Sequence, residues 1–470
     1  MLTLAHFLET LTPYQATGQE PVISSVEVDS RTVQPGSLFA AFVGEQADGH
    51  AYVAAAFAAG AVAALVERPL PGDYLTIDTR SGQAPTITTF DKPVCLVVEN
   101  TMSALQQAAK TWRAKFPVRI IGVTGSVGKT TTKELIHTVL SQQFKTLKSQ
   151  GNRNNEIGLP LTLLNLRPEH ERAVLEMGMY ATGEIALLCE LAQPAIGVVT
   201  IIGPVHLERV GSMDGIVKAK RELIEALPVD GVAVLNRDDD RVMSMAAHTK
   251  ARVFTYGLDE RADLWASHIQ SMGLQGVGFT LHYQGESLNV KLPMLGRHSV
   301  HTALRAAAVG MVEGMAWDAI VAGLTTQRAQ LRLVAVPGPH DSILIDDTYN
   351  SSPDSALAAL NLLHDLDGRR VAVLGDMLEL GQVEEEAHRL VGRRVADVAQ
   401  VLVAVGPRGR WIAEEALRVG MSPLRVLLAE DVETAVSLLA DLIQANDIIL
   451  IKGSLGMRMD RIVAALGKEN

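Results

Sequence analysis

The sequence predicts an α/β protein of three domains, and three observations carry that prediction. Its 470 residues correspond to about three domains of ordinary size. Short apolar runs of strand length alternate with amphipathic helical patterns along most of the chain, as expected for strands covered by helices. One glycine loop, Gly125 to Thr130, stands between such a strand and such a helix. The patterns divide the chain into a small N-terminal α/β domain over 1–100, a central P-loop-like α/β domain over 101–330, and a C-terminal Rossmann-like α/β domain over 331–470.

Composition bounds the functions available. Hydrophobic residues make up 47% of the chain, enough for several cores. A net charge of −11 with only 4% aromatics argues against a nucleic-acid partner, which needs basic patches and stacking rings. Small anionic ligands remain open, since a few local donors hold a phosphate. Cys95 and Cys189 lie far apart, so no disulfide framework is indicated and a reducing cytoplasm fits. The start, MLTLAHFLET, lacks the basic region and cleavage pattern of a signal peptide. The longest uncharged run, Ala51 to Val66, falls short of the roughly 20 residues a membrane span needs. It reads as a helix, a stop at Gly60 and a buried strand.

In the first domain a helical start precedes a strand over Val22–Val28, followed directly by Asp29, Ser30 and Arg31. Strand ends of α/β units present ligand-binding groups, and Arg31 could clamp a phosphate while Ser30 donates to it. A strand over Leu38–Val43 leads to the polar loop Gly44, Asp48, Gly49, His50. Both segments read equally well as ordinary turns, because Asp, Ser and Gly are turn residues.

The central domain opens with a helix from Thr101. The strand Ile120–Val123 then leads through Thr124, Gly125, Ser126, Val127, Gly128, Lys129, Thr130 and Thr131 into a helix with Leu135, Ile136, Val139 and Leu140 on one face. Backbone N–H groups of such a loop surround phosphate oxygens, and the helix N-terminus adds partial positive charge. Lys129 would reach the β- and γ-phosphates, and the Thr130 hydroxyl would ligate Mg²⁺. The full motif has its first glycine where Val123 stands here; the glycine sits one place earlier, at Gly122.

Next, Asn152, Asn154 and Asn155 form a polar loop that either binds ligand or caps and turns. Glu176 ends an apolar strand over Ala173–Leu175, which makes it a candidate Mg²⁺ ligand. His206 follows the strand Ala195–Ile202, a place that suits a metal or phosphate role. Lys218, Lys220, Arg221, Glu222 and Glu225 read by pattern as an exposed helical face with ion pairs. Asn236 to Asp239 follow the strand Val232–Leu235 and either bind a base or ribose or cap the next helix. Residues 263–295 alternate polar and apolar, predicting antiparallel strands, and a helix is entered through Gly296 and His298.

The pattern resets near Leu331. Strands are expected at Ser342–Ile345, Arg370–Leu374, Val401–Val405, Leu424–Leu427 and Ile448–Ile451, with helices between. No GxGxxG is present, so a dinucleotide cofactor is not indicated. GDMLELG (375–381) and KGSLGMRM (452–459) both fall at strand ends, where ligands bind.

Across all three domains the chain resembles the Mur ligases of peptidoglycan synthesis. The runs that carry the resemblance are DSR…PGSLFAAFVGEQADGH, GVTGSVGKTTTKE, GNRNNEIGLPLTLL, LEMG, HLERVGS, AKRE, LNRDDD, IDDTYNSSPDS, LGDMLELG and KGSLGMRM. They fall in the family's order. GDMLELG resembles the members that add D-alanyl-D-alanine, and the Asp-Asn-Pro-Arg run of the diaminopimelate-adding sister enzymes is absent.

The resemblance implies an ATP-dependent amide ligase that joins D-alanyl-D-alanine to UDP-N-acetylmuramoyl-tripeptide through an acyl phosphate. It implies two magnesium ions held by Thr130, Glu176, His206 and Lys220, the last as a carbamate formed with CO₂. That role for Lys220 opposes the exposed-face reading. Asn236, Arg332 and Asp347 would contact the nucleotide; Ser30, Arg31 and the 44–50 loop the UDP end; Asn152, Asn154 and Asn155 the sugar-peptide side; and Asn350 the cleft that receives the dipeptide. Ser299 and Thr302 stand where the family usually has asparagines on the adenine side, and TYNSSP replaces the commoner Tyr-Asn-Ala-Asn-Pro. A monomer suffices for this reaction. The rivals are a folylpolyglutamate-type ligase, which the first domain disfavours, and a nucleotide-switched binding module, which has no need of a small-molecule clamp.

Overall fold

A computed structural model describes residues 1–44, 47–85, 89–204, 207–326 and 333–468. They fall into two compact units. The first comprises 1–122, 144–178 and 184–194; the second comprises 123–143, 179–183 and 195–470.

In the first unit β1 (Val26–Glu27), β2 (Leu38–Ala40), β3 (Ala63–Val66), β4 (Leu75–Asp78) and β5 (Val94–Val97) form one parallel sheet of order β1-β2-β3-β5-β4. β3 and β5 are buried along their whole length, which is why they read as unbroken apolar runs rather than alternating ones. Phe39, Val53, Ala56, Ala64, Val66, Cys95 and Val97 make one core, and Gly60 stops the helix Val53–Ala58 as expected. Strand length was overestimated at two places. Val22 makes only an isolated bridge to Thr3, because Pro21 precedes it and Ser24 and Ser25 carry little apolar surface to bury. β2 ends at Ala40, where Gly49 N–H claims the Phe42 carbonyl at 2.7 Å and bends the chain.

The helix Thr101–Ala114 is N-capped by Asn100, whose side chain accepts from Ser103 N–H at 2.9 Å. β6 (Arg119–Thr124) then carries the chain from the first unit into the second. The helix Lys129–Leu140 follows the glycine loop. Back in the first unit, β7 (Thr146–Lys148) and β8 (Arg172–Glu176) pair in parallel.

In the second unit β9 (Ile196–Val199), β10 (Val232–Asn236), β11 (Arg252–Gly257) and β12 (Leu264–Ser271) run parallel to one another. β13 (Val277–Tyr283) and β14 (Glu286–Leu292) extend the sheet antiparallel, as the alternation over 263–295 predicted. The helix Ser299–Val312 packs against Lys129–Leu140. The C-terminal part contributes β15 (Val334–Pro337), β16 (Ile343–Asp347), β17 (Arg370–Gly375), β18 (Val401–Val405), β19 (Val426–Ala429) and β20 (Ile448–Lys452), in order β15-β16-β20-β17-β18-β19. All pair in parallel except the edge strand β15, which the sequence did not suggest. Its faces are mostly exposed, so it has no apolar signature. β19 starts at Val426 rather than Leu424, because Pro423 sets a tight turn over Pro423–Arg425. Two apolar clusters, one on each face of this sheet, complete the doubly wound arrangement. The expected α/β class, with largely parallel sheets covered by helices, is thus observed.

Candidate active site

The glycine loop belongs to the second unit. Val123, where the longer motif has its first glycine, is still inside β6 and fully buried. The turn begins one residue past the strand, at Gly125, whose φ is +142°. A Cβ at this position would collide with the Thr200 side chain, so only glycine fits. Thr200, just past β9, holds the loop: its N–H donates to the Thr124 carbonyl at 2.9 Å and its hydroxyl to the Val127 carbonyl at 2.7 Å. Ser126 exchanges bonds with Gly203, its hydroxyl donating to that carbonyl and accepting that N–H, both at 2.9 Å. Gly128, at φ +83°, delivers the chain into the helix Lys129–Leu140. The Lys129 ammonium folds back over the loop and donates to the Gly125 carbonyl at 2.9 Å. Thr130 and Thr131, in the first helical turn, are half-buried. The result is a helix N-terminus presenting a rigid ring of backbone, with one cation above it.

Lys220 lies in the helix Met213–Glu225 and is 2% exposed. The exposed-face reading is corrected here. The buried stripe runs Ile216, Ala219, Lys220, Leu223, Ile224 at spacings of three and four, and it includes Lys220. Lys218 and Glu225 do face solvent, and Arg221 and Glu222 are half-buried. Burial, and then the positive charge of Lys129, hold the Lys220 amine well below its usual range.

Asn236 ends β10 and is buried; its side-chain oxygen accepts from Asp238 N–H at 3.1 Å, so it shapes the turn that follows. Asp239 caps the helix Asp240–Met243 and also accepts from Ile202 N–H at 2.9 Å. Burial would raise Asp238, but His301 at 2.8 Å and the amides of Leu258 and Asp259 outweigh it and hold the carboxyl below its ordinary range. The Ser299 hydroxyl donates to the Leu295 carbonyl at 2.6 Å, and Thr302 is buried.

In the C-terminal part of the same unit, the Lys452 ammonium donates to Asp347 at 2.8 Å and to the Asn350 carbonyl at 2.8 Å. Two residues given roles by sequence are therefore joined by a third, the first residue of the KGSLGMRM run, that was given none. Lys452 is 1% exposed at the end of the wholly buried strand β20, and a lysine closing the run IILIK was the available signal. The Asn350 side chain accepts from Ser351 N–H at 2.9 Å. Asp354, in the first turn of Pro353–His364, sets its carboxylate against Gly203, and burial raises its pKa. His206 and Arg332 lie outside the described residues.

In the first unit Glu176 ends β8, 2% exposed, and accepts from the Asn154 amide at 3.0 Å. Asn155 accepts from Gly158 N–H at 2.9 Å and so starts the helix Gly158–Leu163, while Asn152 is exposed. The three asparagines thus divide between the Glu176 carboxylate, the Gly158 amide and solvent.

Arg31 is exposed, and Asp29 takes its guanidinium bidentately. The same hook of Asp and Arg two residues on recurs at Asp78–Arg80 and Asp259–Arg261. Ser30 is half-buried between the hook partners. Asp48 accepts from Arg68, from His50 N–H and from His50 Nδ1, and these donors, Arg68 foremost, hold its carboxyl far below the usual range. His50 is buried and its Nε2 accepts from Glu67 N–H at 2.8 Å, so Nδ1 carries the proton given to Asp48. Gly49 N–H bonds the Phe42 carbonyl and Gly44 N–H the Ala47 carbonyl at 2.9 Å. His50 is thus a brace under the loop, whereas Arg31 and Arg68 are cations able to exchange a carboxylate for a phosphate.

Among the described residues no three His, Cys, Asp or Glu side chains converge as a ready-made metal cage. No helix there is long and apolar enough to cross a membrane. Cys95 and Cys189 are both buried, and the Cys189 thiol lies 3.9 Å from the Met177 sulfur.

Comparison with known proteins adds three findings. Residues 22–113 match the Mur ligase family catalytic domain, 123–310 the Mur ligase middle domain, and 331–455 the Mur ligase glutamate ligase domain. The UDP-N-acetylmuramoyl-tripeptide–D-alanyl-D-alanine ligase of Synechocystis is 36% identical over 95% of this chain and 93% of its own. Among solved structures, MurF from Acinetobacter baumannii superposes with a TM-score of 0.83 at 33% identity, covering 98% of both chains. MurF from Thermotoga maritima, in complex with ADP, gives 0.78 at 26% identity over 94% of this chain and 96% of its own.

Proposed function

The chain belongs to the Mur ligase family, and we propose that it is the ATP-dependent ligase that joins D-alanyl-D-alanine to UDP-N-acetylmuramoyl-tripeptide for peptidoglycan synthesis. The observation that carries this reading is the near full-length likeness to ligases of that name, on a chain whose glycine loop is built for phosphate.

ATP would lie with its phosphates on the loop 125–130, where Lys129 leaves its two loop carbonyls and turns to the β- and γ-oxygens. The carboxylate of the tripeptide attacks the γ-phosphorus in line, the bond to the β-bridging oxygen breaks, and ADP leaves. The amine of D-alanyl-D-alanine then attacks the acyl phosphate carbon. A tetrahedral intermediate collapses to the amide with loss of phosphate, and the amine gives up a proton. Water would compete for the acyl phosphate, so exclusion of solvent by the C-terminal part is required.

Lys220 would react as a neutral amine with CO₂: its nitrogen bonds the carbon, one C–O π pair moves to oxygen, and the N–H proton goes to solvent. Its burial and depressed pKa support this, because only the unprotonated amine can react. The carbamate, Thr130 and Glu176 would offer oxygen donors of the kind that suit Mg²⁺, and His206 would add an imidazole nitrogen. Magnesium would neutralise charge on the transferring phosphoryl group. We assign 1–100 to the UDP end, with Ser30, Arg31 and the loop through Gly44, Asp48, Gly49 and His50. We assign 101–330 to ATP, with Asn236, and 331–470 to the dipeptide, with Asn350 at the cleft; Arg332 and Asp347, from 331–470, would also contact the nucleotide. The reading places the enzyme in the cytoplasm as a monomer.

The test is phosphate release from ATP with Mg²⁺, UDP-N-acetylmuramoyl-tripeptide and D-alanyl-D-alanine, omitting each in turn. Release should require both substrates and yield a product heavier by the dipeptide; release indifferent to both would favour a nucleotide switch. Lys129→Ala should abolish product, and full turnover by that variant would defeat the mechanism.

A further inference from the structure

Arg305 stands in the middle of the helix Ser299–Val312, surrounded in sequence by Ala303, Leu304, Ala306, Ala307 and Ala308. It is 5% exposed. Its Nε donates to the Tyr256 hydroxyl at 2.7 Å, and Nη1 donates to the Thr132 hydroxyl at 3.1 Å, in the first turn after the glycine loop. Nη2 points to the Thr200 carbonyl at 3.5 Å. Nη1 is also 3.4 Å from where a Cβ on Gly128 would stand. Through Gly128, Thr132 and Thr200 the guanidinium therefore packs against the phosphate loop with bonds of its own, separate from those of Lys129 to Gly125 and Ser126.

All three of these acceptors are neutral, and among the described residues no carboxylate is within ion-pair distance of Arg305. A guanidinium stays protonated even when buried. Removing it from water with no carboxylate in direct contact is costly, far more so than burying the alanines around it. A fold that keeps such a cation against the back of an anion-binding loop is poised for an anion the free protein lacks.

We infer that Arg305 is the buried counter-charge of the nucleotide's phosphates: a positioning residue that braces the loop from behind and raises its affinity for a polyphosphate. The inference rests on the assignment of ATP to this loop. It concerns charge felt through the loop rather than direct contact, so its signature is a dependence on ligand charge.

Calorimetric binding of ATP, ADP and AMP to the full-length protein, compared with Arg305→Met and Arg305→Lys, tests it. At an effective dielectric constant near 20, removing the charge should weaken ATP about tenfold, ADP less and AMP least. Arg305→Lys should recover most of the ATP affinity. Affinity for UDP-N-acetylmuramoyl-tripeptide should not change. Equal loss for ATP and AMP would reveal a purely structural brace and overturn the inference, as would unchanged ATP affinity in the methionine variant. If Arg305→Met fails to fold, Arg305→Gln replaces it with the same expectations. A wild-type protein that does not bind ATP at all would instead overturn the ATP assignment on which both readings depend, so the two failures are distinguishable.

Discussion

A single side chain can reverse the meaning of its sequence context, and Lys220 does so here. Its neighbours Lys218, Arg221, Glu222 and Glu225 look like a solvated ladder, yet the 3.6-residue period turns Lys220 alone of these into the core. An amine in that position has its ordinary basicity suppressed by burial and by Lys129. Lys220→Ala should therefore lose ligase activity, and wild-type enzyme stripped of CO₂ at low pH should regain activity with bicarbonate in the same phosphate-release assay. Normal turnover by the alanine variant would remove the carbamate from the mechanism. Arg31 teaches the opposite lesson. Its bidentate bond to Asp29 is repeated at Arg80 and Arg261, so the hook itself is a local turn device. Arg80 and Arg261 likewise follow strand ends, those of β4 and β11, so neither the geometry nor the position of the hook sets Arg31 apart.

At the scale of elements, legibility followed burial. β3, β5, β18 and β20 are buried throughout, as is β17 past Arg370, and their apolar runs are plain in the sequence. β15 was missed because an exposed edge strand has no apolar signal, and Val22 was over-read because apolar residues beside a proline need not pair. The glycine loop was legible in full, since backbone demands at Gly125 and Gly128 leave a mark in residue type. Arg305 and Lys452 were present as lone charges within apolar stretches, but only their long-range partners, Thr132 and Asp347, give them meaning. Asp239 offers an element-scale prediction. Its carboxylate caps Asp240–Met243 and also binds Ile202 N–H, tying the end of β10 to the segment after β9. Asp239→Ala should cost about 1–2 kcal/mol, from a lost cap and an orphaned amide. Urea unfolding would report this as a lower midpoint at unchanged slope, and an unchanged midpoint would contradict it.

For the whole molecule, the balance of protons between folded and unfolded chain sets the acid limb of stability. His298 is held at about 4, chiefly by burial and then by the charges of Lys452, His301 and Arg305. His6 and His388 are also lowered by burial, against the opposing pull of the Ala108 and Glu384 carbonyls they bond. Unfolded, each returns to about 6.5 and binds a proton that the folded chain refuses. The unfolded state therefore holds more protons at mildly acidic pH, so stability is fully present above 6.5 and declines as pH falls from there toward 4. Each histidine that is neutral when folded and charged when unfolded steepens the decline by about 1.4 kcal/mol per pH unit. Between pH 6.5 and 5, ahead of most carboxylate titration, the unfolding free energy measured in urea should fall with pH. His298→Gln should flatten that limb by close to one proton's worth while shifting stability at pH 8 by a constant amount. A variant with the same slope as wild type would mean that the His298 ring is protonated in the folded protein. Its neighbours argue otherwise: three cationic or protonatable groups, Lys452, His301 and Arg305, already share that region of the second unit, and a further positive charge there would face repulsion from each.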